Sequence, residues 1–232
     1  MNGVPCLLLF TKPARPGRVK TRLVGAELSA AQAAALHEAF LGDLRDRLAG
    51  ARGFALRLAW ALEEGEAVPA GHGPATVQHG DDLGERLFRA LGEAAAEHPL
   101  VAAVGSDHPE LSPARVEEAF AALVAGADVA IGPAHDGGYY LVAVRPEALS
   151  REIFAGVPWS SGEVLAATLA NCAGLGLAVV LLPAEADVDT PADLARLATA
   201  LGKPDAPSCP RTRALLQDWG MLTSAAAAVA SS

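Results

Sequence analysis

Apolar runs of strand length alternate with helix-length apolar stripes along most of this chain, and that alternation admits few folds. Val4 to Phe10 is a continuous apolar run that reads as a buried strand. Ser29 can cap a long helix through Leu36, Phe40, Leu44 and Leu48, apolar at every fourth position. Phe54 to Trp60 alternates like a strand, and Asp82 can cap a helix through Leu83, Leu87 and Leu91. Leu100 to Val104 is a short buried strand, and Ser112-Pro113 puts a cap and an N1 proline at the next helix. Asp128 to Ile131 and Tyr139 to Val144 read as strands joined by a glycine-rich loop. Ser161 starts a helix through Val164, Leu165 and Leu169, and Leu177 to Leu182 is a strand. Thr190-Pro191 starts a helix through Leu194 and Leu197, with Asp193 near its positive end. The expected class is therefore α/β, with a mostly parallel central sheet covered on both faces in three α/β/α layers. Ligands in such sheets bind beyond the carboxyl ends of the strands. Pro204, Pro207 and Pro210 break the pattern. We expect one domain over residues 1–202 and a C-terminal extension over 203–232, with a short helix around Arg213 to Trp219 and a frayed tail from Ala225 to Ala230.

Composition narrows the function. Hydrophobic residues are 51% of the chain, enough for a core and too many for a disordered protein. Acidic side chains outnumber basic ones 27 to 18, for a net charge of -9, which argues against a nucleic-acid partner. Cys6, Cys172 and Cys209 are odd in number and form no C-x-x-C pair, which suggests a reducing compartment and no zinc knuckle. Val4 to Phe10 is too short and wrongly flanked for a signal peptide, and no uncharged apolar window reaches the ~18 residues of a membrane span. A cytoplasmic protein without a membrane span is expected. Nothing in the sequence fixes the oligomeric state.

Basic charge is concentrated in one place. Lys12, Arg15, Arg18, Lys20 and Arg22 follow the first strand, and the loop holds two of the chain's three lysines. Lysine offers phosphate a compact charge and arginine a bidentate fork. Gly17, Pro13 and Pro16 let the backbone bend close to a ligand. The loop reads as a phosphate-binding loop, against the plainer alternative of a solvated basic segment. It is not a Walker A loop, because Val19 stands before Lys20-Thr21 where glycine belongs, and G-x-G-x-x-G is absent.

Acids stand at two strand ends. Asp107 follows the strand ending at Val104, where a carboxylate can hold a divalent cation and its phosphates. Ser106, Asp107 and His108 cannot form a hydrolytic triad, because sequence neighbours cannot converge that way. Asp187 and Asp189 follow the last strand, and Thr190 alone would cap the helix, so a metal would explain the extra acids. Helix-dipole stabilisation is the alternative. In Gly132 to Tyr140, adjacent Gly137 and Gly138 permit positive φ and close backbone approach, and His135 and Asp136 are candidate partners of a sugar or acceptor hydroxyl. Trp159 can stack on a ligand or simply pack, and Arg86 can reach a phosphate. His37, His72 and His98 show no zinc spacing and read as surface residues.

Several blocks occur together in order: Phe10-Thr11-Lys12, Pro16-Gly17, Lys20-Thr21-Arg22-Leu23, Leu83-Gly84-Glu85-Arg86, Gly105-Ser106-Asp107, Gly132-Pro133, Asp136-Gly137-Gly138-Tyr139-Tyr140-Leu141, Pro158-Trp159-Ser160 and Asp187-Val188-Asp189-Thr190-Pro191. On these blocks, from about Cys6 to Leu201, the chain resembles the "glycosyltransferase, rSAM/selenodomain-associated" family of the nucleotide-diphospho-sugar transferase superfamily. It departs from that pattern at His108, Glu110 and Ser161-Gly162. Lys20 to Leu23 with the Asp-Gly-Gly loop is also similar to the 2-phospholactate guanylyltransferases. The Asp189-Thr190-Pro191 ending is similar to molybdenum-cofactor nucleotidyltransferases. The resemblance implies a GT-A fold, a nucleotide and a divalent metal, Mg2+ or Mn2+.

The favoured expectation is nucleotidyl transfer from an NTP to a small phosphate or hydroxyl acceptor, with pyrophosphate released. Lys12, Arg15, Gly17, Lys20, Arg22 and Arg86 would bind the nucleotide's phosphates. Lys20, Arg22 and Asp107 would be catalytic, and Asp107 and Asp189 would hold the metal. Asp136, Gly137, Gly138, Tyr139 and Trp159 would bind the acceptor. Glycosyl transfer from an NDP-sugar is the alternative. A non-catalytic nucleotide sensor and a phosphatase-like hydrolase on Asp187-Val188-Asp189-Thr190 are lesser ones.

Overall fold

A computed structural model describes residues 3–25, 27–203 and 206–222, and the Ala225 to Ala230 tail lies outside these. The chain divides into two compact units. Met1–Pro13, Leu48–Gly105 and Ser112–Ala186 make the first, and Ala14–Arg47, Ser106–Leu111 and Asp187–Ser232 the second.

The first unit holds the sheet. Its strands are β1 (Cys6–Thr11), β2 (Ala55–Trp60), β3 (Ala75–Val77), β4 (Val101–Gly105), β5 (Val129–Pro133), β6 (Tyr139–Val144) and β7 (Val179–Leu181). They lie in the order β3-β2-β1-β4-β6-β5-β7. All neighbours are parallel except β6, which runs antiparallel to both β4 and β5. The continuous apolar runs form the central strands because both faces of such strands are covered. β1 is buried at all six positions.

The period of two sends Cys6, Leu8 and Phe10 to one face with Val101, Ala103, Val129, Ile131, Val142 and Val144. Leu87, Ala90, Leu91 and Ala94 of α2 (Leu83–Ala95) cover this face, with Ile153 and Phe154 of a 3-10 turn and Cys172 of α4 (Val164–Gly174). α3 (Pro113–Val124) packs on β5 and β6 with Val116, Ala119, Phe120 and Leu123 buried. Ser112 caps it and Pro113 opens it, as the sequence predicts.

The second unit is built on helices. Its elements are α1 (Ala30–Ala49), whose last two residues pass into the first unit, α5 (Pro191–Leu201) and α6 (Pro210–Asp218). Leu36 and Phe40 meet Leu194, Leu197 and Leu201, together with Leu216 of α6 and Leu23 and Val188 from the loops. His37 is 3% exposed, which corrects the surface expectation. Ala33, Leu36, Phe40, Leu41 and Leu44 are buried around it, so the buried side of α1 is wider than one stripe.

α6 begins at Pro210, because a proline with fixed φ and no N–H suits a first helical position. Its exposed amides are satisfied from α1: the buried Asp43 carboxylate accepts hydrogen bonds from Arg211 N at 3.0 Å and Thr212 N at 2.9 Å. Arg47 donates to the carbonyls of Pro109, Leu111 and Ser208. Replacing Asp43 by Ala strips a buried charge-assisted acceptor from two amides. We expect Asp43→Ala to lower the unfolding free energy by about 2–4 kcal/mol, read by urea denaturation. An unchanged midpoint would show that α6 is held by its apolar face alone.

Candidate functional site

The basic loop is pinned from beneath. Val19, Lys20 and Leu23 are buried, and Thr21–Leu23 forms one 3-10 turn. Lys20 has φ 46° and ψ 38°, a left-handed conformation uncommon outside glycine. Its side chain is only 1% exposed.

Three oxygens receive the Lys20 ammonium. Asp107 Oδ1 lies at 2.5 Å, the Val188 carbonyl at 2.7 Å and Asp189 Oδ1 at 3.0 Å. The Phe40 ring centroid lies 5.5 Å from Nζ. An ammonium has three N–H donors, so this one is saturated. Burial alone would lower the Lys20 pKa, but the charges of Asp107 and Asp189 outweigh it and hold the group protonated. A backbone hydrogen bond from Val188 N to Asp107 O, at 3.0 Å, ties the two acid-bearing segments together.

The carboxylates themselves are partly open, with side chains 46% exposed at Asp107 and 38% at Asp189. Arg22 is 67% exposed and its guanidinium lies 3.9 Å from Asp189 Oδ2. His108 Nδ1 lies 3.8 Å from Asp187 Oδ1. Among the described residues, no group of three or more His, Cys, Asp or Glu side chains could hold a metal. Two carboxylates without a third protein ligand do not make an all-protein cage. They do fit Mg2+, which commonly takes one or two carboxylates and completes its shell with phosphate oxygens and water.

The segment carrying Asp189 is fixed by a capping box at the start of α5. Asp193 Oδ2 accepts from Thr190 N at 2.8 Å, Thr190 Oγ1 at 2.6 Å and Asp189 N at 3.3 Å. Thr190, not Asp189, is the cap, as the sequence predicts.

In the first unit, the glycine loop is built by close approach. Gly137 has φ 89°, and a Cβ there would lie 2.1 Å from the Gly162 carbonyl oxygen. Its own carbonyl accepts from Leu165 N at 2.9 Å. The Asp136 side chain folds back to accept from Gly138 N at 2.9 Å. Tyr139 and Trp159 pack edge to face with centroids 6.2 Å apart. Trp159 also lies on α2, where a Cβ on Gly84 would meet its ring at 3.0 Å. Both aromatics pack on the core, and burial pushes the Tyr139 phenol well above its ordinary pKa. Arg86 donates from Nε to the Gly80 carbonyl at 2.9 Å.

The structure thus brings Lys20, Asp107, Asp189 and Arg22 together in the second unit, with Arg15 and Gly17 on the same loop. It joins Asp136, Gly137 and Gly138 to the segment before α4, over Tyr139 and Trp159. Lys12 and Arg86 belong to the first unit. Sequence reasoning missed Val188, whose contribution is a main-chain carbonyl that any residue supplies. It also missed Phe40, whose helical spacing signals only a core position.

The family model for uncharacterized proteins conserved in bacteria (DUF2064) matches residues 44–161. The chain belongs to this family. No curated protein matches it. A crystal structure from Desulfovibrio desulfuricans G20, described as a "putative nucleotide-diphospho-sugar transferase", is 32% identical, covers 94% of this chain and 96% of its own, and superposes with a TM-score of 0.83. The fold extends to more distant structures. A cytidylyltransferase from Leptospira borgpetersenii is 12% identical, with 95% and 97% covered and a TM-score of 0.57. A CMP:2-keto-3-deoxy-manno-octonic acid synthetase complexed with CTP is 15% identical, with 84% and 96% covered and a TM-score of 0.52. The chain has the α/β fold of the nucleotide-diphospho-sugar transferase superfamily.

Removing the capping box tests the local anchoring. Thr190→Ala should cost about 1 kcal/mol in urea denaturation at neutral pH. Burial would raise the Asp193 pKa, but its hydrogen bonds from Thr190 and Asp189 outweigh that and lower it below its ordinary 3.8. A lowered carboxyl pKa stabilises the fold above the unfolded-state value and stops doing so as pH falls through the folded-state value. The stability gap between wild type and Asp193→Asn should therefore be full at pH 7, begin to narrow near pH 3.8 and close only below the lowered folded-state value. A gap that is constant with pH would refute this electrostatic account.

Proposed function

We propose that this protein transfers a nucleotidyl group from an NTP to a small phosphate or hydroxyl acceptor. The observation that carries the proposal is the convergence of Asp107, two residues past β4, and Asp189, just before the cap of α5, on one buried cation in the unit that also holds most of the basic loop. In the reaction an acceptor oxygen attacks the α-phosphorus, the bond between that phosphorus and the α–β bridging oxygen breaks, and pyrophosphate leaves. The acceptor's proton passes to solvent.

Lys12, Arg15 and Arg22 place positive charge against the phosphates, where charge grows on the departing pyrophosphate. The Gly17 backbone and Arg86 are the further phosphate contacts of this reading. Asp107 and Asp189 would hold Mg2+ or Mn2+. Such an ion polarises phosphate oxygens as a Lewis acid. Lys20 acts through the carboxylates, because its three donors are already engaged. Asp136 of the glycine loop is proposed as the acceptor's partner. Gly137, Gly138, Tyr139 and Trp159 set that loop's shape. Residues 1–202 form the transferase domain in this reading, and 203–232 an extension that includes α6.

Glycosyl transfer from an NDP-sugar is the second reading, favoured by the description of the Desulfovibrio protein. A thermal-shift panel of NTPs, NDPs and NDP-sugars, with and without Mg2+ or Mn2+, separates the two. A ligand at 100 times its Kd stabilises a fold by about 2.7 kcal/mol, which a melting curve resolves. We expect a metal-dependent shift with one NTP, accompanied by pyrophosphate release on adding acceptor. A shift confined to an NDP-sugar would favour glycosyl transfer, and no shift with any nucleotide would sink both. Asp107→Asn, whose amide oxygen can still accept from Lys20, should cut turnover by about a hundredfold or more in protein that circular dichroism shows to be folded.

A further inference from the structure

We infer that Lys20 makes metal binding at Asp107 and Asp189 conditional on nucleotide: the free protein refuses the divalent ion, and the site accepts it only with the phosphates that accompany it. This rests on the nucleotide reading above.

The Lys20 ammonium occupies the oxygen cage itself. Its three contacts, Asp107 Oδ1 at 2.5 Å, Val188 O at 2.7 Å and Asp189 Oδ1 at 3.0 Å, are the donor set a small cation would seek. The ammonium is held there by the fold. Its residue is left-handed, Val19 and Leu23 on either side are buried, and Phe40 stands beside it. At 1% exposed, the side chain is enclosed by these neighbours.

Charge then decides. Two carboxylates alone would offer a divalent ion a charge of −2, whereas with Lys20 among them the trio carries −1. An ion that bound both carboxylates would stand within a few ångströms of the ammonium, and like charges that close repel. Nucleotide phosphates supply negative charge and oxygen ligands together, which removes both obstacles. Arg22, mostly exposed beside Asp189 Oδ2, is free to swing toward those phosphates as they arrive. Linkage is reciprocal, so the metal raises nucleotide affinity by the same factor as the nucleotide raises metal affinity. Lys20 is accordingly a positioning residue: it touches neither phosphate nor acceptor and fixes the order in which ligands can enter.

Mn2+ titrations of the full chain, followed by the electron paramagnetic resonance of the free ion, test this without turnover. Wild type with Mn2+ alone should show no saturable site. Lys20→Met with Mn2+ alone should gain one, at least about tenfold tighter than any wild-type binding. Adding Asp107→Asn to Lys20→Met should abolish it. Lys20→Gln keeps N–H donors without the charge and should show the same gain, which covers failure of the methionine variant to fold. With CTP, GTP, ATP or UTP tested in turn, wild type should remove more free Mn2+ with the cognate nucleotide than that nucleotide removes without protein. The inference is overturned if wild type binds Mn2+ alone within about twofold of both Lys20 variants, or if neither folded variant gains a site. A gain in the variants with no effect of any NTP or NDP-sugar on the wild-type protein overturns the nucleotide reading instead, so the two failures are distinguishable.

Discussion

A buried lysine organises the second unit. An unpaired ammonium in such a place would be expensive, and its pairing with two carboxylates and a carbonyl offsets that cost. The three acceptors come from two segments. Asp107 arrives on the chain leaving β4, and Val188 and Asp189 on the chain entering α5. Neither segment has regular structure of its own at these positions. Their placement depends on the cation they share, on the hydrogen bond between Val188 and Asp107 and, at Asp189, on the capping box of α5.

The first unit has a different logic. Its strands are held by apolar burial on both faces, and β6 enters the sheet in reverse between β4 and β5. The reversal needs a tight connection, and the loop from Ala134 to Gly138 provides one. The loop has no room for a side chain at Gly137 because the chain before α4 passes against it. Asp136 is left outward with its carboxylate already bent to Gly138 N.

The sequence made the central strands legible because a strand covered on both faces is apolar throughout, as in β1, β4 and β5. It left β3 invisible: Ala75–Val77 is three residues at the sheet edge, half exposed and preceded by glycine and proline. The start of α4 was displaced for a local reason. Ser161 donates to Pro158 O and accepts from Glu163 N in a turn of its own, and the helix begins at Val164. Pro210, which reads as part of a break in the pattern, instead opens α6. In the site, the acids were legible from their positions after strands. The depth of Lys20 was not, because it sits in a loop rich in basic residues and its partners are remote.

That remoteness has a consequence for how the protein comes into being. Lys20 and Val188 are 168 positions apart, and Asp43 and Thr212 are 169 apart. A chain emerging from the ribosome N-terminus first carries its basic loop long before the partners of that loop exist. The loop therefore spends most of synthesis as an open cluster of positive charge. Contacts of such sequence separation also close slowly, since the loop entropy must be met before they contribute. The strands of the first unit can pair as they appear, whereas the cage around Lys20 can close only after the segment leading into α5 has been made.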